Sequence, residues 1–167
     1  CLAALRWAKA ESLRAHGGRP VRVRLPYDAP LVGAARALGG EVGRPYGWLV
    51  RVLDPVALMA RIAPVLERRL AESPFAGLSR AFTIGMMTES LVLRFRGGRF
   101  RQVSAVRRGP RADITLPPPV APMVWFGSRS MEEVADWYAD ASIRDRSAGR
   151  LADVLFPKGP SWACSLF

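Results

Sequence analysis

The sequence is poor in the residues that build metal sites and disulfide frameworks. Among its 167 residues are two cysteines and one histidine, and residues so few and so far apart offer no metal-ligand spacing. His16 has no Ser or Cys partner at a recognisable spacing, so it gives no basis for a catalytic triad. Cys1 and Cys164 leave room for one bridge at most, which excludes a disulfide scaffold and favours a reduced, cytoplasmic setting.

Long apolar runs and phosphate-binding glycine loops are also missing. No apolar run approaches the roughly 20 residues that span a bilayer, and no charged-then-apolar leader opens the chain. We therefore expect neither a membrane span nor secretion. The glycines in Arg96-Gly97-Gly98-Arg99 fit a hairpin and do not lie between a strand and a helix, where a phosphate loop would be.

Lysine is scarce, although the chain is strongly basic. The net charge is +11, and Lys9 and Lys158 are the only lysines, so nearly all the basic residues are arginines. A basic excess can mark nucleic-acid binding. Here the arginines are scattered without a long basic run, so we do not expect a nucleic acid as partner.

The first third of the chain predicts a short alternation of helices and strands. The pattern favours a helix at 2–16, a strand at 21–25, a helix at 30–38 and extended chain at 41–53. Glycine pairs follow both helices, as is typical of helix ends. So few strands cannot close a sheet alone, so this segment needs missing strands or packing against the next domain.

A different pattern begins at Asp54. Asp54 can cap a helix whose first turn contains Pro55, and the apolar spacing continues to Leu70 across Pro64, where we expect a kink or two abutting helices. Four strands are then predicted, with Gly97-Gly98 as a two-residue hairpin turn. Their ranges are 82–87, 90–96, 99–106 and 112–116.

The remaining pattern predicts helices. Residues 120–126 form a short apolar segment, read as a helical turn or a buried loop. Ser130 and Glu133 have the spacing of a capping box, and a last helix around Leu151 ends at Phe156-Pro157. The prediction is an α+β fold: an antiparallel sheet of about four to five strands with helices on one face.

Two stretches resemble a known family. The strand-to-helix passage at 46–70 and Ala-Arg-Ala-Leu-Gly-Gly at 35–40 resemble GNAT-family N-acetyltransferases of the enhanced-intracellular-survival type. In that family an acetyltransferase-like domain is followed by a sterol-carrier-protein-like domain. The resemblance implies that residues 1–52 are the α/β end of a GNAT domain and that residues 53–167 are the sterol-carrier-like domain.

The resemblance also implies an activity for the full-length protein, which is acetyl transfer from acetyl-CoA to an amine. This chain lacks the acyl-CoA site, so we expect it to hold no cofactor and to be inactive by itself. Its implied partner is the missing N-terminal acetyltransferase domain, and a homo-oligomer remains open. The main alternative is a carrier module for an apolar or lipid ligand, and a third is a basic interaction domain for an acidic partner.

The end of the chain carries one candidate catalytic group. Leu155-Phe156-Pro157-Lys158-Gly159-Pro160 and the terminal Phe167 resemble the ending of the same family, in which the last carboxylate reaches the first domain's active site and serves in proton transfer. The resemblance therefore assigns this role to the Phe167 carboxylate. The family often has an acidic residue near the end, and this sequence has none there. An ordinary chain terminus is the other interpretation.

Two further groups of residues are candidate binding sites. Methionine and aromatic side chains could line an apolar ligand cavity or could simply fill the core; they are Met86, Met87, Met123, Trp125 and Phe126. Arginines placed opposite one another in the hairpin would repel, and they are Arg94 with Arg101 and Arg96 with Arg99. They could bind an anion or an acidic partner, or solvent and nearby carboxylates could screen them, namely Glu132, Glu133, Asp136 and Asp140.

Overall fold

The structure is a computed structural model that describes residues 1–25, 29–43, 49–107 and 109–161. The chain divides into two compact units, Leu49–Gly159 and a smaller one that contains the described residues before it together with residues 160 and 161. The division lies close to the predicted boundary at residues 52 and 53. The assignment of the two parts to families remains a prediction.

In the smaller unit the two predicted helices are present. Helix α1 is Leu2–His16, and its first following residue, Gly17, is left-handed with φ 63°. Helix α2 is Pro30–Ala37. The strand predicted at 21–25 is wrong, because these residues form no ladder. Alternating side chains favour a strand only where a neighbouring strand supplies hydrogen bonds, and the described part of this unit contains none.

The strand predicted at 48–52 is also not observed. Trp48 lies outside the described residues, and residues 49–52 form no regular structure. Val50 is 40% exposed, whereas Val52 is half-buried and packs against the core, so only part of the apolar alternation is buried here.

The larger unit begins with the predicted capped helix. Helix α3 is Pro55–Ala71, and the Asp54 carboxylate accepts a hydrogen bond from the Ala57 amide at 2.9 Å. The helix runs through Pro64 without a break, so two separate helices do not form.

The remaining elements form a five-stranded sheet and three helices. The strands are β1 (Ala81–Met86), β2 (Glu89–Arg96), β3 (Arg99–Val106), β4 (Ile114–Thr115) and β5 (Ser142–Ile143), and the helices are α4 (Ala121–Trp125), α5 (Met131–Trp137) and α6 (Arg146–Leu155). The strand order is β3-β2-β1-β4-β5. The α+β prediction is confirmed, and β5 was not foreseen.

One strand runs in the direction opposite to the prediction. Strands β1, β2 and β3 are antiparallel neighbours, whereas β4 pairs parallel to β1. Strand β4 therefore lies on the side of β1 away from β2 and β3. Gly109, before β4, is close to β2, since a side chain there would come within 2.8 Å of the Ser90 Cβ.

The predicted turn and caps explain where the elements begin and end. Gly97 and Gly98 have φ 60° and 74°, which is the two-residue turn that fits twisted hairpin strands. Ser130 and Glu133 form the predicted capping box at the start of α5. One face of the sheet packs with α3 and α6 into a single apolar core; its fully buried members include Leu66, Phe82, Ile84, Leu91, Leu93 and Leu151.

Candidate functional site

A buried carboxylate organises one side of the sheet. Asp113, just before β4, is 2% exposed. It accepts a hydrogen bond from the Thr83 amide at 2.7 Å and forms ion pairs with Arg80 and, at 2.7 Å, with Arg144. A buried charge needs such donors, so this cluster joins β1, β4 and β5. Asp113 was not among the predicted site residues, because nothing in the sequence around Asp113 marks this carboxylate as buried.

Arginines line a groove beside this cluster. The groove has a volume of about 450 Å³, and four of its lining residues carry a guanidinium group. Arg94 and Arg96 alternate with the buried residues of β2. The lining residues are Ser79, Arg80, Ala81, Arg94, Phe95, Arg96 and Arg101.

The register of the hairpin differs in part from the predicted one. Arg96 faces Arg99 as predicted, and the rings of Phe95 and Phe100 meet edge to face at 5.6 Å. Arg94 faces Gln102, so its predicted pairing with Arg101 is wrong. A β-bulge causes the shift: Arg101 is an extra residue in β3, because the register changes between Arg94 and Phe95.

Arg99 differs from the other three arginines of the hairpin. Its guanidinium is 2.9 Å from a carboxylate oxygen of Glu67 on α3, and the Phe100 amide donates to the other oxygen at 2.8 Å. The hydrogen bond from Arg99 is the main cause that lowers the pKa of the Glu67 carboxyl, and the charge of Arg101 adds a smaller effect. The carboxylate that neutralises Arg99 is therefore that of Glu67 on α3, which was not among the predicted partners.

The carboxylates proposed to screen the arginines do not do so by direct contact. Glu133 pairs with Lys158 at 2.7 Å, and this hydrogen bond is the main cause that lowers the pKa of Glu133. Within the described ranges, no ion pair links Glu132, Asp136 or Asp140 to the hairpin arginines.

A second hollow lies at the opposite end of the sheet. It has a volume of about 340 Å³ and is bounded by residues of β4, β5 and the segment before β4. Arg144 faces it between Asp113 and Asp145, and the hydrogen bond to Asp145 is the main cause that raises the pKa of Arg144. Because Asp113 and Asp145 already hold this guanidinium, we interpret the hollow as part of the ion-pair cluster.

The five candidate cavity residues are divided between the core and the surface. Met86 and Trp125 are 7% and 6% exposed and belong to the core, and Met123 packs against it. Met87 is 76% exposed and Phe126 45% exposed. Three of the five thus belong to the core or pack against it, while the lining role of all five remains a prediction.

Trp125 has an unusual feature for a core residue. Its indole Nε1–H is buried and has no hydrogen-bond acceptor among the described residues. Trp125 ends α4, and the adjoining Phe126 is half-exposed. On the same short helix, the Met123 sulfur accepts a hydrogen bond from the Tyr138 hydroxyl at 3.9 Å. Buried donors are nearly always satisfied, so this indole requires an explanation.

Other candidate sites are not built from the described residues. Phe167 lies outside them, so the proposed role of its carboxylate remains a prediction. Among residues 1–25, 29–43, 49–107 and 109–161, no group of three or more His, Cys, Asp or Glu residues could hold a metal ion. No helix in these ranges is long and apolar enough to cross a membrane.

Comparisons with known proteins find several solved structures, among them two of low similarity. One is a crystal structure of sterol carrier protein 2, 15% identical, covering 59% of this chain and 96% of that chain with a TM-score of 0.36. The other is the UbiJ-SCP2 ubiquinone synthesis protein, 19% identical with the same coverages and a TM-score of 0.37. No protein-family model and no curated protein matches the sequence. The fold described above does not depend on these similarities.

Proposed function

We propose that the Leu49–Gly159 unit is a sterol-carrier-like module that binds an apolar ligand bearing a hydrogen-bond acceptor. The observation that carries this proposal is the buried Trp125 indole N–H without an acceptor. It lies next to the half-exposed Phe126 and close in sequence to Met123, whose side chain packs against the core. Because the indole is buried and neither hollow described above is lined by Trp125, binding requires a movement of α4; the apolar body of the ligand would then cover Phe126 and its acceptor would meet the indole.

The energetics favour such an acceptor. A buried donor that lacks a partner costs about 1–3 kcal/mol. A ligand oxygen at Trp125 would remove this cost, and burial of the ligand's apolar surface would add about 25 cal/mol per Å². Met123 can adjust to the shape of the ligand, because a methionine side chain has three rotatable bonds.

The test compares two tryptophans that differ in burial. Binding of a pyrene-labelled fatty-acid methyl ester would be titrated by fluorescence with the wild type, Trp125→Phe and Trp137→Phe. Trp137 is 60% exposed, with Arg129 over its ring at 5.0 Å, so it is the matched control. We expect about fivefold weaker binding for Trp125→Phe and no change for Trp137→Phe. No binding to the wild type, or equal effects of both changes, would refute the proposal.

A second candidate function is that of the C-terminal part of a GNAT-type N-acetyltransferase. Two observations favour it: the chain divides into two units close to residues 52 and 53, and the capped helix α3 follows at once. The resemblance of residues 35–40 and 46–70 predicts a domain junction at this place. Acetyl transfer would then belong to the full-length protein, with acetyl-CoA bound outside this chain.

Calorimetry with acetyl-CoA tests whether the isolated chain lacks an acyl-CoA site, as this second candidate function requires. We expect negligible binding to the isolated chain, because the sequence contains no phosphate-binding glycine loop. Micromolar binding would contradict the assignment as a part that lacks the acyl-CoA site. In the full-length protein, one or two residues added after Phe167 should lower turnover sharply, since a shift of about 1 Å can cost about 100-fold in rate. Full activity of the extended protein would remove the role of the Phe167 carboxylate.

A further inference from the structure

The arginine groove contains more positive charge than its surroundings neutralise. Among the residues that the structure describes, Arg94, Arg96 and Arg101 form no ion pair. The fourth arginine, Arg80, shares the Asp113 carboxylate with Arg144. Among the described residues, three of the four guanidinium groups of the groove thus have no direct carboxylate partner, and the fourth shares one with Arg144.

The backbone of β3 is altered at the point where one of these arginines enters the groove. A regular two-residue hairpin would pair Arg101 with Arg94, and the bulge instead pairs Gln102 with Arg94 and leaves Arg101 as the extra residue beside it. Arg101 lines the groove, whereas Gln102 does not. Bulges often redirect a side chain next to a functional site. Here the bulge leaves Arg101 lining the groove together with Arg94 and Arg96, and like charges that share one groove repel one another.

Arg99 shows that a carboxylate of the same fold can neutralise a guanidinium group of the hairpin. Arg99 lies on the same hairpin and pairs with Glu67 on α3. Like charges that share one groove repel one another, so a groove lined by unpaired arginines is explained best by a ligand that supplies the missing negative charge.

We infer that this groove is a binding site for a multivalent phosphate group. Guanidinium groups bind phosphate oxygens through pairs of parallel hydrogen bonds, and several of them on one group require more than one negative charge. The volume of about 450 Å³ lies within the roughly 300–1,000 Å³ of small-molecule sites. The site is independent of the apolar-ligand proposal, because the two share no residue.

The first experiment titrates tripolyphosphate into the full chain by calorimetry at low salt. Arg94→Gln, Arg96→Gln and Arg101→Gln should each weaken binding about tenfold, as expected for the loss of a charge-assisted hydrogen bond. Arg99→Gln changes the charge equally and lies on the same hairpin, yet it should leave the affinity within about twofold. The three groove variants are independent, and circular dichroism would verify that each is folded.

A second arm identifies the source of the phosphate. Vesicles of phosphatidic acid in phosphatidylcholine would be sedimented with the wild type, Arg94→Gln and Arg99→Gln. If the wild type binds tripolyphosphate, the ligand is a free phosphate compound. If the wild type does not bind tripolyphosphate but binds the vesicles, and Arg94→Gln loses this binding while Arg99→Gln keeps it, the ligand is a lipid headgroup. Failure of both probes to bind, or equal weakening in Arg99→Gln and the groove variants, would overturn the inference.

Discussion

The two faces of the sheet differ in chemistry along the same strand. On β2, Leu91, Val92, Leu93 and Phe95 are at most 4% exposed, whereas Arg94 and Arg96, at the end near the hairpin turn, are exposed. The inner face meets α3 and α6 and supplies the core. The outer face near the hairpin turn collects arginines. The contrast separates residues that hold the fold together from residues that are free to bind a ligand.

The largest effect is expected where a charge is buried. Asp113→Ala would leave Arg80 and Arg144 without their shared carboxylate and the Thr83 amide without its acceptor. Breaking a buried ion pair in this way costs about 3–5 kcal/mol. Urea denaturation should show this loss in the free energy of unfolding. A loss under about 1 kcal/mol would mean that the ion-pair cluster is not structural.

Leu93 and Arg94 are neighbours on β2 whose side chains lie on opposite faces of the sheet, so their substitution tests the two faces directly. Leu93 is fully buried, so Leu93→Ala should lower the free energy of unfolding by about 2–5 kcal/mol. Thermal and urea unfolding would measure it. A small effect would contradict the assignment of this face to the core.

On the opposite face, Arg94→Ala and Arg101→Ala should change stability by less than about 0.5 kcal/mol. At low salt the change should be a gain, because repulsion between the arginines is relieved. Unfolding would be compared at low and high salt. A loss well above about 1 kcal/mol would show that these arginines hold an acidic partner within the fold.

The smallest effect on stability is expected from the loss of the ion pair between Glu67 and Arg99. Arg99 and the Phe100 amide lower the pKa of the Glu67 carboxyl, so ionised Glu67 favours the folded state. This contribution is complete above the ordinary carboxyl pKa of about 4.3 and is lost as the pH falls through the lowered folded value. The stability difference between wild type and Glu67→Gln should therefore shrink from pH 6 to pH 3. A difference that does not depend on pH would contradict the ion pair.

Local patterns in the sequence predicted much of the larger unit. The Asp54 cap, the glycine turn and the capping box of α5 each depend on residues a few positions apart, so the chain itself contains the information. The parallel β4, the bulge at Arg101 and the Asp113 cluster depend on contacts between distant segments. The strand predicted at 21–25 failed for the same reason, because a strand needs a partner that alternation alone does not supply.

The proposed hydrogen bond from the Trp125 indole N–H to a ligand can be observed directly. The chain contains five tryptophans, so a nitrogen-15 correlation spectrum should contain five indole resonances, and the one missing in Trp125→Phe belongs to Trp125. On addition of methyl oleate, we predict that this resonance moves downfield as a hydrogen bond forms, while that of Trp137 stays in place. An unchanged Trp125 resonance at saturating methyl oleate would contradict a hydrogen bond from this indole to the ligand.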